Sequence, residues 1–317
     1  MQGFLTQSSA KFAEKMLVGD TKQALRERIE MKIIDLINSE KPTLSMEVFP
    51  PKTSDKFDSI KHATEQIAAL NPDFMSVTYG AGGGTSEFTA DIAANIQNNY
   101  SVPTLAHLTC VSSDKDKIDS VVKNLKSKDI ENILALRGDI PEGFDRSKCK
   151  YHYASELIDE IKALGDFCIG GACYPETHPE SENSIEDINN LKIKVEKGCE
   201  FLTTQMFFDN NILYNFLYRV REAGINVPVV AGIMPVTNAA QIKRIMSISG
   251  SALPQRFIKI VDRYANKPEA MKQAGIAFAT EQVIDLYANG INAVHIYTMN
   301  KPEVAKAIMD NISYIIK

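Results

Sequence analysis

Glu47 stands in Leu44-Ser-Met-Glu-Val-Phe-Pro-Pro51, an apolar and β-branched run that ends in a double proline. Proline fixes φ and removes a ladder donor, so a strand here must stop at Phe49 or Pro50. A carboxylate at that strand end, flanked by Met46, Val48 and Phe49, has no structural use, because a buried carboxylate is costly unless paired or protonated. Apolar neighbours would raise its pKa. A second stretch that could do chemistry is Ala135-Leu-Arg-Gly-Asp-Ile-Pro141. Arg137 offers a planar fork to phosphate, Asp139 an acceptor to ring N–H groups, and Gly138 lets the backbone come close to a ligand. The two charges are two residues apart and equally fit a simple ion pair.

Other polar residues fall at the ends of apolar runs: Thr78-Tyr79, His107, Tyr174 with His178, Gln205 and Tyr297. His107, in Leu-Ala-His-Leu-Thr, reads on its own as a satisfied core histidine. Gly80-Ala-Gly-Gly-Gly84 could bind an anion or admit a flat ligand, but it matches neither dinucleotide nor P-loop spacing and fits a flexible turn as well. Cys-Ile-Gly-Gly-Ala-Cys-Tyr-Pro, ending at Pro175, is short of bulky side chains, which suggests close approach by something else, a planar cofactor being one candidate. A helix opening at Ser184 carries Ile185, Ile188, Leu191 and Val195 as its core stripe and Asp187, Asn190 and Lys194 as a polar one. Ser184 with Asp187 fits a capping box, and lysine on a helix is usually solvated, so spacing favours the structural explanation there. The five histidines include no pair at ligand spacing on one helix, no histidine–cysteine cluster appears, and no nucleophile elbow is present.

These residues need a scaffold, and the chain supplies a regular one. Strands are predicted at 43–49, 73–79, 103–109, 131–137, 167–174, 201–206, 227–233 and 293–298. Amphipathic segments separate them near 56–70, 85–99, 114–127, 150–164, 184–198, 210–224 and 238–248, and another follows at 302–314. Phe57, Ile60, Ile67 and Leu70 form one such stripe, stopped by Asn71-Pro72. The alternation predicts an α/β fold, a (β/α)8 TIM barrel, with one or two extra helices in 254–290 between strands seven and eight. An open doubly wound sheet should carry a glycine fingerprint after its first strand, where this chain has Phe49-Pro50-Pro51. Thr21 to Asn38 reads as a helix, through Leu25, Ile29, Ile33, Ile34 and Leu36. Residues 1–40 are expected to be an N-terminal arm and helix, and 41–317 a single catalytic domain.

Composition narrows the class. The 317 residues are 44% hydrophobic and 24% charged, ordinary for a globular protein. A formal net charge of −5 without a basic run argues against nucleic acid or anionic membrane as partner. No apolar stretch is long enough to span a membrane, and Met1 to Asp20 lacks the pattern of a signal peptide. The five scattered cysteines form no C-x-x-C pair and read as buried thiols of a cytoplasmic protein.

Ser-Met-Glu-Val-Phe-Pro-Pro, Ser-Val-Thr-Tyr-Gly-Ala, Ala-His-Leu-Thr-Cys, Ala-Leu-Arg-Gly-Asp-Ile-Pro, Tyr-Pro-Glu-Thr-His-Pro-Glu, Thr-Gln-Met-Phe-Phe-Asp and Gly-Ile-Met-Pro-Val follow one another in family order. From about residue 41 to 312 the chain resembles the bacterial 5,10-methylenetetrahydrofolate reductases. The resemblance implies noncovalent FAD, reduced by NADH or NADPH and reoxidised by the folate in a ping-pong cycle that supplies methyl groups for methionine synthesis. It implies that Glu47 is the acid and Asp139 the carboxylate beside the flavin. Tyr79, Ala81, His107, Arg137, Gly138, Ala154, Tyr174 and His178 match flavin contacts, as do Asp187, Asn190 and Lys194, against the structural reading of that helix. Thr78 matches a nicotinamide contact, and Gln205 and Gln241 match folate contacts. A homo-oligomer is expected, with no metal.

Two positions depart from the family. An aromatic residue frequent in bacterial relatives after strand seven is Ile245 here, and an arginine that meets the folate is Lys301, which cannot copy a bidentate fork. Larger eukaryotic relatives carry a C-terminal domain that binds S-adenosylmethionine; the sequence stops after its eighth barrel helix, so that regulation is not expected. A barrel flavoenzyme of the proline-dehydrogenase type, or a non-catalytic flavin- or folate-binding subunit, stands as the alternative.

Overall fold

A computed structural model describes residues 28–29, 31–51, 54–79, 86–111, 113–140, 143, 145, 149–242 and 252–317. Each predicted strand is present and each is trimmed at one or both ends: β1 (Thr43–Val48), β2 (Phe74–Val77), β3 (Thr104–Thr109), β4 (Asn132–Leu136), β5 (Cys168–Cys173), β6 (Phe201–Thr204), β7 (Val229–Ile233) and β8 (Ala293–Tyr297). All run parallel, and β8 pairs back onto β1, so the sheet closes as a barrel in sequence order. The helical layer is α2 (Phe57–Ala68), α3 (Ser86–Tyr100), α4 (Lys115–Ser127), α5 (Ala154–Leu164), α6 (Ser184–Glu196), α7 (Asn210–Glu222), α8 (Gln255–Tyr264), α9 (Pro268–Ala288) and α10 (Pro302–Ile312), with α1 (Ile33–Ile37) ahead of β1. The expected extra helices between β7 and β8 are α8 and α9. Of the segment predicted at 238–248, the start is helical at 240–242, and 243–251, Ile245 included, lies outside the described residues, as does the Gly80–Gly84 cluster.

Side chains alternate across a strand. In β1, Leu44, Met46 and Val48 turn outward into the main core with helix residues such as Ile67, Ile308 and Ile312, which leaves Ser45 and Glu47 facing the barrel interior. The lower interior is an apolar layer of Phe74, Leu105, Leu134, Cys168, Phe201, Val230 and Ala293, one from each of β2 to β8. Ile33 and Ile37 of α1 complete that layer from below.

The predicted continuous helix over Thr21–Asn38 is corrected within its described part. Lys32 is extended (φ −66°, ψ 140°) and α1 starts afresh at Ile33. The cause is a tertiary cap: Ile33 N donates to Asn132 Oδ1 at 2.9 Å, and Asn132 Nδ2 donates to Thr104 O at 3.3 Å. A helix that must plug the barrel base takes its starting point from the barrel.

Four of the five cysteines are buried and all are unpaired; burial pushes the thiols of Cys110 and Cys168 up to about 12. Among the described residues, no helix is long and apolar enough to cross a membrane.

Candidate active site

Glu47 is held where the β1 ladder runs out. Pro50 and Pro51 have no N–H to extend it, and the loop after β8 takes over. Phe49 N donates to Asn300 Oδ1 at 3.0 Å, Asn300 Nδ2 donates to Phe49 O at 2.9 Å, and Thr298 Oγ1 donates to Glu47 O at 2.6 Å. Met299 and Asn300 are both left-handed, with φ 54° and 52°, to make that turn. One side-chain amide thus replaces two ladder bonds on either side of Phe49.

The register places Glu47 beside Ser76 on β2 and Tyr297 on β8, and Ser45 beside His295. Glu47 Oε2 lies 3.8 Å from His107 Nε2 and 3.8 Å from His295 Nε2, with the Glu47 side chain 20% exposed. This corrects the expected apolar surroundings. Met46 and Val48 face the helices, and the carboxyl meets two imidazoles and a phenol. Below the carboxyl, the strand interiors carry a buried polar column of Ser45, Ser76 and His295.

Two serines hold the His295 ring by both of its nitrogens. Ser45 Oγ lies 2.7 Å from Nδ1 and 3.1 Å from Val294 O. Ser76 Oγ shares a hydrogen bond with Nε2 at 3.1 Å. His107 is different: its Nε2 is buried with no hydrogen-bond partner among the described residues, so the satisfied core histidine is ruled out. Burial drives its pKa down to about 4, against the pull of Glu47 and with the help of His295. Tyr297 donates to Thr204 O at 2.5 Å, and burial, then Glu47, pushes its phenol well up. Gly232 is required opposite: a Cβ there would lie 2.5 Å from both Thr204 O and Tyr297 Oη.

A second group forms past β4 and β5. Arg137 does not pair with Asp139; its two terminal nitrogens donate to Glu180 at 2.7 Å each, while Asp139 stands exposed. Gly138 takes φ +89°, and its missing Cβ makes room for Val111 and Thr109, at 2.7 and 2.9 Å. His178 stands edge-on to Tyr174, with centroids 4.5 Å apart, and accepts from Glu180 N on Nδ1 at 3.1 Å. Burial and then Arg137 lower the His178 pKa, and burial raises Tyr174.

The predicted capping box of Ser184 and Asp187 is replaced. The N-cap is Asn183, whose Oδ1 accepts from Ile185 N and Glu186 N at 3.0 Å each. That frees the buried Asp187 to accept from His178 N at 3.2 Å and Ser181 Oγ at 3.3 Å. Ile185, expected in the core stripe, is exposed, while Ile188 and Leu191 are buried. Lys194 is not solvated: its Nζ donates to Ala172 O at 2.6 Å, and burial lowers its pKa. The glycines of β5 make room for protein rather than for a flat cofactor. A Cβ on Gly170 would strike the Phe201 ring, and one on Gly171 would lie 2.7 Å from Lys194 Cδ.

The other sequence-predicted residues are more scattered. Thr78 and Tyr79 are half-buried just past β2, Ala154 opens α5, and Asn190 is exposed on α6. Gln205 N donates to Cys173 O at 2.7 Å, and Gln241 lies half-buried at the edge of the described segment. Ala81 is outside the described residues. Lys301 Nζ donates to Thr237 Oγ1 at 2.8 Å, so its charge is held at the mouth between β7 and β8. Sequence reading missed Ser45, Ser76, His295, Asn300 and Glu180. The first three share the parity of Glu47, Thr78 and Tyr297 on their own strands, a signal that was present in the register.

Over residues 32–313 the sequence matches the family described as methylenetetrahydrofolate reductase. It is 35% identical over 303 residues to methylenetetrahydrofolate reductase (NADH) 1 of Arabidopsis thaliana, covering 90% of this chain and 51% of that protein. It is 34% identical over 265 residues to 5,10-methylenetetrahydrofolate reductase of Escherichia coli, covering 84% of this chain and 88% of that protein. The chain therefore spans about half the length of its plant relatives and most of the bacterial one. Among solved structures, an uncharacterized protein from Clostridium thermocellum that binds two copies of 5-methyl-5,6,7,8-tetrahydrofolic acid shares the fold, with a TM-score of 0.63 at 16% identity over 90% of this chain and 100% of that one. A family match that takes in all eight strands and both polar groups of the rim settles the classification: the chain belongs to the methylenetetrahydrofolate reductase family.

Proposed function

We propose that the chain reduces 5,10-methylenetetrahydrofolate to 5-methyltetrahydrofolate, with noncovalent FAD and with NADH or NADPH as donor, in a ping-pong cycle of the cytoplasm that feeds methionine synthesis. The observation that carries this reading is a carboxyl fixed in the barrel mouth with two ring nitrogens 3.8 Å away, at the end of the fold where barrel enzymes do chemistry. Opening the five-membered ring of the substrate needs a proton on the leaving nitrogen. Glu47 is the group that gives it, and His107 flanks it as a neutral ring, so that no charge on that ring opposes the developing positive charge.

The residues present suit a flavin dinucleotide. Arg137 and Lys194 bring two cations toward His178, which feels both of them. A buried ring nitrogen of His107 lacks a partner among the described residues, and Tyr174 offers an aromatic wall. Bound FAD supplies the hydride chemistry, and the protein supplies orientation and electrostatics. Arg137 and Lys194 would hold phosphate, with Asp187 positioning the His178 loop. Asp139, exposed beyond β4, would stabilise positive charge on the folate. Gln205 and Gln241 would orient the folate, Thr78 the nicotinamide, and Lys301 would offer a carboxylate one point charge in place of a fork.

Replacing Glu47 by Gln tests the assignment. Bleaching of the flavin spectrum by NADH should survive and its recovery with methylenetetrahydrofolate should fail; normal recovery in that variant removes Glu47 from the mechanism. In the unaltered protein, bleaching without recovery points to an amine oxidoreductase of the proline-dehydrogenase type, and no bleaching to a binding subunit or to a different electron donor.

A further inference from the structure

Arg137, the fork that the rim offers to phosphate, is already engaged. Both terminal nitrogens donate to Glu180 at 2.7 Å, and Nε donates to Gly138 O at 3.3 Å. A carboxylate and a phosphate present the same pair of oxygens to a guanidinium, so the two compete for one face. The loop that brings Glu180 there is anchored on both sides. Glu180 N donates to His178 Nδ1, Ser181 N donates to His178 O at 3.0 Å, and the buried Asp187 accepts from His178 N and Ser181 Oγ. Thr177 is held left-handed at φ 82° at the start of the same turn, a conformation that a β-branched residue rarely adopts. Against this fixed backbone the Glu180 side chain is 46% exposed and reaches the Arg137 fork from the solvent side.

We infer that Glu180 is a resident substitute for the cofactor's phosphate. It holds the half-buried Arg137 fork in place while the site lacks an anion, and yields it to the diphosphate of an entering flavin dinucleotide. This rests on the flavin reading above. Two consequences follow for recognition. The cofactor binds more weakly than it would to an unoccupied fork, because it must displace a carboxylate. A flavin without phosphate, such as riboflavin, cannot make that exchange, so the pair screens for the phosphorylated form.

The test titrates full-length apoprotein with FAD, followed by quenching of flavin fluorescence, and with ADP, followed by calorimetry. Glu180→Gln should bind both about tenfold more tightly than the unaltered protein, the scale of one partly exposed bidentate ion pair. Glu180→Asp, which keeps the charge but shortens the reach, should fall between them. In an Arg137→Met background the Glu180 substitution should have no effect. Equal or weaker binding by Glu180→Gln overturns the inference, since Glu180 would then support the ligand or ignore it. If FAD binds both forms equally, the inference alone falls. If neither FAD nor ADP binds either form, the flavin reading falls with it.

Discussion

Substituting His107 by Asn should remove a steep acid sensitivity from the stability of this protein. In the folded chain the ring is buried between Glu47 and the barrel wall, and its pKa stands at about 4 against an ordinary 6.5. A base whose folded pKa is the lower one takes up protons on unfolding between those two values. Its contribution is therefore intact above about pH 6.5 and is lost as the pH falls through the window, levelling off below about 4. The full displacement corresponds to about 3 kcal/mol, and the part lost between about pH 8 and pH 5 to about 2 kcal/mol. Urea unfolding at those two pH values, on the unaltered chain and on His107→Asn, reads it as a double difference. The unaltered chain should lose about 2 kcal/mol more than the variant. His178, also depressed by burial and by Arg137, is common to both and cancels. Equal losses in the two proteins would refute the argument that His107 is buried neutral.

Two further outcomes follow from packing and charge. Gly232→Ala puts a methyl 2.5 Å from Tyr297 Oη and Thr204 O; overpacking of about 1–3 kcal/mol and the loss of one buried hydrogen bond should lower the melting temperature and slow the folate half-reaction, while an unchanged melting curve would contradict the contact. Lys194→Met removes an ammonium that donates to the Ala172 carbonyl; the apoprotein should gain about 1 kcal/mol or more while FAD affinity falls at least about tenfold, and a variant that loses stability yet binds FAD normally would contradict its role at the flavin.

Local patterns carried the fold because each βα unit declares itself. The double proline after Phe49, the Asn71-Pro72 stop and the regular return of β-branched runs located eight strands to within a few residues. What local patterns cannot carry is the partner of a residue across the barrel. Glu47 looked apolar in sequence because Met46 and Val48 are its neighbours along the chain, yet the pleat sends those two to the helices and the register brings His107 and His295 instead. Arg137 and Asp139 invited pairing by their spacing, but the fork reaches 43 residues along the chain to Glu180. Strand five invited a ligand by its small residues, and Phe201 and Lys194 fill the space. Helix α6 shows the opposite error: spacing suggested an ordinary solvated lysine, and the fold buries it against Ala172. The start of α1 was illegible for the same reason, since its cap comes from Asn132 on a distant strand.

Ile33 and Ile37, set under seven apolar side chains, close the base of the barrel among the described residues. Glu47 stands at the opposite end, where its ladder runs out. Under the proposed function, donor, folate and product would then reach that carboxyl through one mouth and would have to take it in turn. A product bound long at the rim would hold back the next donor as well as the next folate, which would tie the tempo of the cycle to departure from the rim.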